Sequence, residues 1–271
     1  GGPWTQQKGK SYFKLSEWWL IFDEHYTSAG LKDPNVTTGI YNTFLYGEYG
    51  ITNRFAGIVS SALFSRNYMN NLVSGTTGEV IVAGEAVNYL GDTDVGLKYQ
   101  LSKKGAKVPM ALSVVLGLPL GKSVAGAGMN LQTGDGEFNQ IVQFDIGKGF
   151  RAFKKRQAYY ALYGGFNHRL NGFSEEIRFG AELGIELFNQ KTWVIARVNG
   201  IESLKNGATA ETVTSTSIFA NNSEYVSYSV EWNQYITKKV GFSLGFTNVI
   251  RGEIIAAAPS YSVGVFLDLS K

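Results

Sequence analysis

The two histidines are the only side chains in this sequence that titrate naturally near neutral pH, and there is no cysteine beside them. His168 lies in the run NHRLNG at positions 167–172. A histidine base needs a hydroxyl nucleophile within hydrogen-bond reach, and a serine two residues further on would supply one. That position holds Leu170. His25 stands near Asp23, but no second acidic pair completes a proteolytic set. The sequence therefore predicts a protein that is not an enzyme.

Carboxylates near glycines are the second candidate for chemistry, as ligands of Ca²⁺. Asp92 and Asp94 project to the same side of a strand, and Asp135 and Glu137 lie on a glycine-rich loop. Oxygen ligands of this kind suit Ca²⁺, but a solvated turn is the simpler explanation. The glycines around Asp135 lack the Lys-Ser/Thr pair and the helix of a phosphate-binding loop. We expect neither a metal nor a cofactor.

Strands must position these residues, because apolar side chains recur at every second position along the chain. The pattern runs without a slip from Glu176 to Leu187. It returns at positions 94–101, 226–233, 241–247 and 261–269. We count about twelve segments of this kind, each of strand length. Each has one apolar face and one face of glycine, small or charged residues.

So many apolar faces cannot share one soluble core, and their natural solvent is lipid. Only a closed barrel lets strands satisfy their backbone hydrogen bonds in lipid. The mean hydropathy of −0.08 fits, because only alternate residues would face the bilayer. We predict an all-β fold over residues 1–271: a single antiparallel transmembrane β-barrel of about 12 strands. Residues 1–10 are expected to form a periplasmic N-terminal segment.

The connections between the segments alternate between short and long, which predicts an orientation. Ile51–Arg54 and Ile236–Lys239 are short, whereas Arg66–Gly91 and Arg251–Pro259 are long. Outer-membrane barrels have short periplasmic turns and longer extracellular loops. We therefore expect a bacterial outer-membrane protein whose signal peptide has already been removed. Its surroundings would be outer-membrane lipid and lipopolysaccharide.

Charged residues on the polar faces should point into the lumen, because a charge in lipid is costly. The predicted lumen-lining residues are Glu48, Asp94, Lys98, Asp145, Arg178, Glu182, Glu186, Arg197 and Glu231. Their mixed signs indicate pairing across the interior more than a filter of a single sign. Strand pairing about a turn at Asn189–Gln190 predicts that Glu182 and Arg197 are neighbours. The set could fill the interior as a packed polar core, which is the simpler explanation, or line a channel.

Two features of the pattern stay ambiguous. In the first strand, Trp18, Leu20 and Phe22 compete with an odd-numbered set, Phe13, Leu15, Trp19 and Ile21, for the lipid face. Aromatic residues also cluster near strand ends, as in the girdles of membrane barrels, although ordinary β-propensity favours them too. The aromatic cluster comprises Trp18, Trp19, Tyr159, Tyr160, Trp193, Trp232 and Tyr235.

Short motifs in the middle of the chain follow an order that is found in a known family. They are GDTDVGLKY at 91–99, GLPLG at 117–121, QTGDG at 132–136, FNQ at 138–140 and YYALYGGF at 159–166. This order resembles the outer-membrane family of putative transporters of the phenol meta-degradation pathway. The similarity covers roughly Gly91 to Phe188. It implies uptake of small, often aromatic or hydrophobic molecules and defines no site residues.

Two functions are therefore compatible with the sequence. The first is a passive channel or transporter for small, hydrophobic or aromatic solutes. The alternative is a non-transporting accessory barrel within a larger outer-membrane protein complex. An open lumen would favour transport, and a blocked lumen with a protein-facing patch on the outer wall would favour assembly. A net charge of only +3 gives nucleic-acid binding no electrostatic support.

Overall fold

The computed structural model of the chain describes residues 2–103, 105–127, 131–153, 155–188, 191–208 and 218–270. Within these ranges, the regular structure consists of sixteen β-strands. Within the described ranges, no helix is long and apolar enough to cross a membrane. The predicted turn at Asn189–Gln190 lies outside the described residues.

Twelve long strands form the wall of the barrel, and four short strands lie in the connections between wall strands. The wall strands are β1 (Ser11–Tyr26), β2 (Lys32–Gly50), β3 (Phe55–Met69), β7 (Thr93–Gln100), β8 (Met110–Leu118), β9 (Asn139–Ala152), β10 (Arg156–His168), β11 (Glu176–Leu187), β12 (Thr192–Ser203), β13 (Glu224–Tyr235), β14 (Val240–Glu253) and β16 (Ser260–Asp268). The short ones are β4 (Leu72–Val73), β5 (Val80–Val82), β6 (Glu85–Tyr89) and β15 (Ile255–Ala256).

The wall closes on itself, because β1 pairs with β2 on one side and with β16 on the other. The remaining strands follow in chain order, and every pairing is antiparallel. Closure leaves the wall without a free edge, so its backbone groups are paired within the sheet. The expected fold, a single antiparallel barrel of about twelve strands, is confirmed.

The last wall strand shows how the alternating pattern is used. Tyr261, Val263, Val265 and Leu267 are all exposed on the outer face of β16. Phe266 points inward and is buried, with its ring 4.9 Å from that of Tyr235. The outer wall is therefore apolar, as the sequence pattern predicts for a surface in contact with lipid.

The first strand adopts the odd-numbered register. Phe13, Leu15 and Ile21 are exposed on the outer wall, whereas Leu20 and Phe22 are buried inside. This register also turns Lys14 inward, where its Nζ lies 3.1 Å from Glu231 Oε1. The opposite register would expose that ammonium group to lipid, which is costly.

The residues of the aromatic cluster are divided between the two faces of the barrel wall. Tyr159, Trp193 and Tyr235 line a cavity inside the barrel. Tyr160 and Trp232 are exposed on the outer wall. The physical reason is the two-residue period of a strand, which sends adjacent aromatic residues such as Tyr159 and Tyr160 to opposite faces.

The two ends of the barrel differ. At the short-turn end, successive wall strands are joined by tight turns such as residues 51–54 and 236–239. At the long-loop end, connections fold back into the barrel. There Leu20, Phe22 and Ile40 of the inner wall pack with Ala256 into a buried apolar cluster. This cluster fills the interior beside β1 and β2 at the long-loop end.

Candidate functional site in the barrel lumen

A cavity of about 1060 Å³ occupies the half of the lumen next to the short turns. Aromatic rings form much of its lining, and charged groups lie between them. The aromatic residues are Trp4, Tyr12, Phe44, Tyr46, Phe150, Tyr159, Trp193, Tyr235 and Phe266. Lys14, Arg151, Glu182, Arg197 and Glu231 supply the charges. A lining of this kind can hold a flat apolar molecule and bind polar substituents at its edge.

Arg197 joins the charged groups of the cavity into one chain. It is the cross-strand neighbour of Glu182 and forms an ion pair with that carboxylate through Nε. Its Nη1 lies 3.1 Å from Glu231 Oε2, and Glu231 also pairs with Lys14. Tyr159 donates a hydrogen bond to Glu182. The two cations and two carboxylates of this chain offset one another, and Arg151 lies outside it.

A second ion pair lies at the opposite side of the lumen and is almost completely buried. Lys98 Nζ is 2.9 Å from Glu48 Oε1, and both side chains are about as inaccessible as core residues. Tyr46 donates a further hydrogen bond to the same carboxylate. Asp145 lies on the inner face of β9 and accepts two hydrogen bonds from Gln143. Side chains of β2, β7 and β9 thus fill this section of the lumen, which we call the packed section.

The N-terminal segment enters the barrel instead of lying outside it. The ring of Trp4 meets that of Tyr159 edge-on at 5.2 Å. Gln100 holds the segment from the wall, since its amide donates to Pro3 O and its Oε1 accepts from Thr5 N–H, both at 3.0 Å. Residues 2–7 therefore narrow the lumen at the short-turn end.

A third network closes the long-loop end. Arg169 is buried and binds two carboxylates, with Nη1 2.7 Å from Glu176 and Nη2 3.2 Å from Asp135. Arg178 donates to the other oxygen of Glu176 at 2.9 Å. Asp135 belongs to the connection between β8 and β9, so the network ties that connection to β10 and β11. It acts as a clamp over the lumen.

Asp92 anchors the same connection from the other side. Its carboxylate accepts the N–H of Gly121 and of Asp135, both at 2.9 Å. Burial raises the pKa of Asp92 to about 6, and the two backbone hydrogen bonds oppose that shift. Asp135 adds to the increase because it brings a second negative charge close. The carboxylates expected to suit Ca²⁺ thus serve as loop anchors.

The nine residues predicted to line the lumen lie on six of the wall strands. Glu182, Arg197 and Glu231 meet in the cavity, Glu48, Lys98 and Asp145 lie in the packed section, and Arg178 belongs to the clamp. Glu186 is buried beside Trp193, its partner on β12. Asp94 is half-buried opposite Gly117. The set is therefore divided among several separate groups instead of forming one.

Sequence reasoning missed Lys14, the N-terminal segment and Arg169. Lys14 could have been found by resolving the register of the first strand, because only one register gives that ammonium group an anionic partner. The role of Arg169 carried no sequence signal, because its contact with Asp135 depends on how the long connection between β8 and β9 folds.

His168, the histidine first considered as a catalytic base, has a structural partner, whereas the buried Nδ1 of His25 has no hydrogen-bond partner among the described residues. His168 Nδ1 lies 2.7 Å from Glu175 Oε1, on the exposed long-loop end. That contact lowers the pKa of Glu175. No group of three or more His, Cys, Asp or Glu side chains suited to a metal ion occurs in the described parts of the chain.

Comparison with solved structures shows that the fold is one of outer-membrane proteins. No family model matches the chain, and no curated protein sequence matches it. Among solved structures, an outer membrane channel from Pseudomonas putida superposes with a TM-score of 0.58 at 14% identity, covering 96% of this chain and 95% of that one. LpxR from Salmonella typhimurium gives 0.53 at 12% identity, with 95% and 99% covered.

The NanC porin gives a TM-score of 0.52 at 9% identity, covering 95% of this chain and 100% of that porin. At such low identity these likenesses establish the fold alone, which is that of outer-membrane β-barrels. The resemblance to the phenol-pathway family is not reproduced by any family model.

Proposed function

We propose that this chain is a passive channel of the bacterial outer membrane that admits small, apolar or aromatic solutes. The observation that carries the proposal is the cavity of about 1060 Å³ inside a closed barrel, lined by aromatic rings and paired charges. Two of the structurally similar proteins are named as a channel and a porin, which agrees with this function. The long-loop end then faces the outside of the cell, and the short-turn end faces the periplasm.

The lining favours apolar solutes over ions. Arg197, Glu182, Glu231 and Lys14 neutralise one another, so none of them offers an ion an unpaired opposite charge. The rings of Tyr12, Tyr159 and Trp193 instead offer flat apolar contacts. Ion conductance should therefore be low while an aromatic solute still crosses.

Uptake of phenol into vesicles with a lipopolysaccharide-containing outer leaflet tests the proposal. Vesicles with the protein should take up phenol faster than protein-free vesicles. Trp4→Ala should raise the rate further, because the Trp4 ring narrows the cavity against Tyr159. Trp19→Ala is the matched control, since Trp19 stacks on Tyr261 at the outer wall and should leave the rate unchanged.

One observation favours the alternative function, an accessory barrel in an outer-membrane complex. The interior is obstructed at both ends, by residues 2–7 and by the apolar cluster around Phe22. If phenol uptake equals that of protein-free vesicles for the wild type and for Trp4→Ala, the channel proposal fails and the accessory function takes its place.

A further inference from the structure

Arg151 differs from the other charged groups that line the lumen cavity. One chain of ion pairs joins the other four, which are Lys14, Glu182, Arg197 and Glu231. Arg151 lines the same cavity, but among the described residues no carboxylate or other acceptor binds its guanidinium. Its side chain is exposed to water. The cavity therefore contains one cation whose hydrogen-bond donors are open to a solute.

The inner face of β9 beside Arg151 has a floor of glycine. Gly147, Gly149 and Arg151 follow one another along this face at every second position. A β-carbon at Gly147 would lie only 3.2 Å from the Trp4 ring, so the N-terminal segment covers that glycine. At Gly149 the nearest atom of the described residues is the carbonyl oxygen of Ala158, at 3.9 Å. The space over Gly149 is therefore open to the cavity.

Aromatic rings surround this open space. Tyr159 is the cross-strand neighbour of Gly149 on β10. Its ring centre lies 5.2 Å from that of Trp4 and 5.8 Å from that of Trp193, and all three rings line the cavity. Aromatic pairs favour offset and edge-on contacts at such distances. A flat ring placed over Gly149 would thus find aromatic partners beside it.

Polar groups lie at the rim of the same space, toward the short turns. Gln157 is directly opposite Arg151 in the pairing of β9 with β10, and both line the cavity. A guanidinium presents two parallel N–H donors that match the two oxygens of a carboxylate, and an amide can add a third donor. Glu186, at the end of β11, is buried beside Trp193 and does not line the cavity.

The short-turn end around this rim is positively charged. Its turns carry exposed lysines that form no ion pair with a carboxylate in the described part of the chain: Lys103, Lys107, Lys155, Lys191, Lys238 and Lys239. Glu186 and Asp268, near the ends of strands β11 and β16, are buried. An excess of one sign of charge at the mouth of a cavity raises the local concentration of solutes of the opposite sign. Anions should therefore gather at this end.

We propose that the cavity binds an aromatic carboxylate, with the ring over Gly149 beside Tyr159 and the carboxylate bound by Arg151. The proposal deepens the proposed function, on whose cavity it rests, by naming the class of solute. The rings alone would accept any flat apolar molecule, and the cations alone would attract any anion. Because the open space and the guanidinium occupy adjacent inward positions of β9, one small molecule can reach both.

Binding of benzoate to the purified protein in lipid nanodiscs tests the proposal, with benzyl alcohol as a neutral probe of similar shape. Titrations at pH 7, followed by ligand NMR signals, give both affinities. The wild type should bind benzoate about tenfold more tightly than benzyl alcohol, and Arg151→Gln should abolish this preference. Arg156→Gln is the matched control. Arg156 belongs to the same hairpin but does not line the cavity, so the preference should persist.

The ring site is tested by Gly149→Leu, which fills the open space. This change should weaken the binding of both probes about tenfold or more, because the ring of each uses that space. Gly164→Leu is the control, since Gly164 lies on the outer face of β10 and a side chain there meets no described atom within 4 Å. Heat-dependent migration in SDS gels shows that each variant folds.

Three results would overturn the proposal: equal affinity of the wild type for the two probes, a preference for benzoate that survives in Arg151→Gln, or a folded Gly149→Leu variant that binds both probes as the wild type does. Binding in nanodiscs requires no passage through the barrel. Selective benzoate binding without phenol uptake would uphold this proposal and refute the channel. Phenol uptake without a preference for benzoate would do the reverse, so the two failures are distinguishable.

Discussion

At the scale of single residues, the barrel separates charges that are paired in the lumen from charges that anchor its loops. The lumen charges, such as Arg197, have two carboxylate partners and are only partly accessible to water. Lys205 also has two carboxylate partners, Glu224 and Glu253, but lies on the exposed long-loop end. Burial, more than the number of partners, should decide what each cation contributes to stability.

Replacing the two cations tests this difference. Arg197→Met should lower the free energy of unfolding by about 1–3 kcal/mol, because two carboxylates in the lumen lose their counter-charge. Lys205→Met, at the exposed site, should cost less than about 1 kcal/mol. Urea unfolding in lipid vesicles measures both. Equal losses would mean that lumen water screens Arg197 as well as bulk solvent screens Lys205.

Asp92 should make the long-loop end sensitive to pH. Its pKa is raised from 3.8 to about 6 in the folded protein, so the folded state binds the proton more tightly than the unfolded state. The stability that this group contributes is complete below about pH 4 and is lost as the pH rises through 6. Stability should therefore fall across that window in the wild type.

The Asp92→Asn variant removes the titration and should flatten this part of the pH profile. Thermal unfolding between pH 4 and 7 provides the measurement. At pH 7, where the wild-type carboxylate accepts both the Gly121 and the Asp135 N–H, the variant should also lose about 1 kcal/mol, because its NH2 group replaces one of the two accepting oxygens. An unchanged slope in Asp92→Asn would show that another group titrates there.

At the scale of the elements, each strand must present one face to lipid and the other to the lumen. On β11, Leu183 is exposed on the outer face, while its neighbour Glu182 faces Arg197. The direction of every side chain on the strand follows from this pair. A change of register by one residue would reverse all of them.

A charge placed on the outer face of β11 should be expensive. Leu183→Arg should lower the free energy of unfolding in vesicles by about 2–4 kcal/mol, the cost of a cation near the bilayer midplane. Phe188→Arg serves as the control, because Phe188 lies in the turn after β11 and is already exposed. Its effect should be about 0–1 kcal/mol. Equal effects of the two changes would place Leu183 outside the lipid band.

The connections between strands should reveal the orientation of the barrel in cells. An epitope inserted between Thr76 and Thr77, in the hairpin of β4 and β5, should be detected by antibodies on intact cells. The same epitope in the turn after Thr237 should be detected only after the outer membrane is permeabilised. The reverse pattern would show that the long-loop end faces the periplasm.

At the scale of the whole molecule, closure of the wall is what allows the chain to exist in lipid. The seam is the pairing of β1 with β16, which joins Tyr12–Leu20 to Ser260–Asp268. If β16 were absent, β1 and β14 would each present an unpaired backbone edge to hydrocarbon, at a cost of several kcal/mol for each unsatisfied group.

A chain shortened to residues 1–259 should therefore fail to fold in vesicles. The measurement is heat-dependent migration in SDS gels together with resistance to protease. Removal of residues 75–78, at the tip of the β4–β5 hairpin, is the matched control and should leave folding intact, because no wall strand is shortened. Folding of the shortened chain would mean that the seam can close without its last strand.

The sequence by itself determined the fold, because a two-residue apolar period repeated about twelve times has few physical solutions besides a closed barrel. It also predicted the Glu182–Arg197 pair, since antiparallel register follows from the position of a turn. The tertiary structure decided the register of β1, the path of residues 2–7 and the clamp around Arg169.

The reason is that each of these depends on contacts between segments distant in the sequence. Lys14 meets Glu231, Pro3 meets Gln100, and Arg169 meets Asp135 only after the wall has closed. Local periodicity fixes which face a residue occupies once the register is known, but β1 offered two plausible registers. The chosen register gives Lys14 its partner, a consequence that the sequence pattern alone does not reveal.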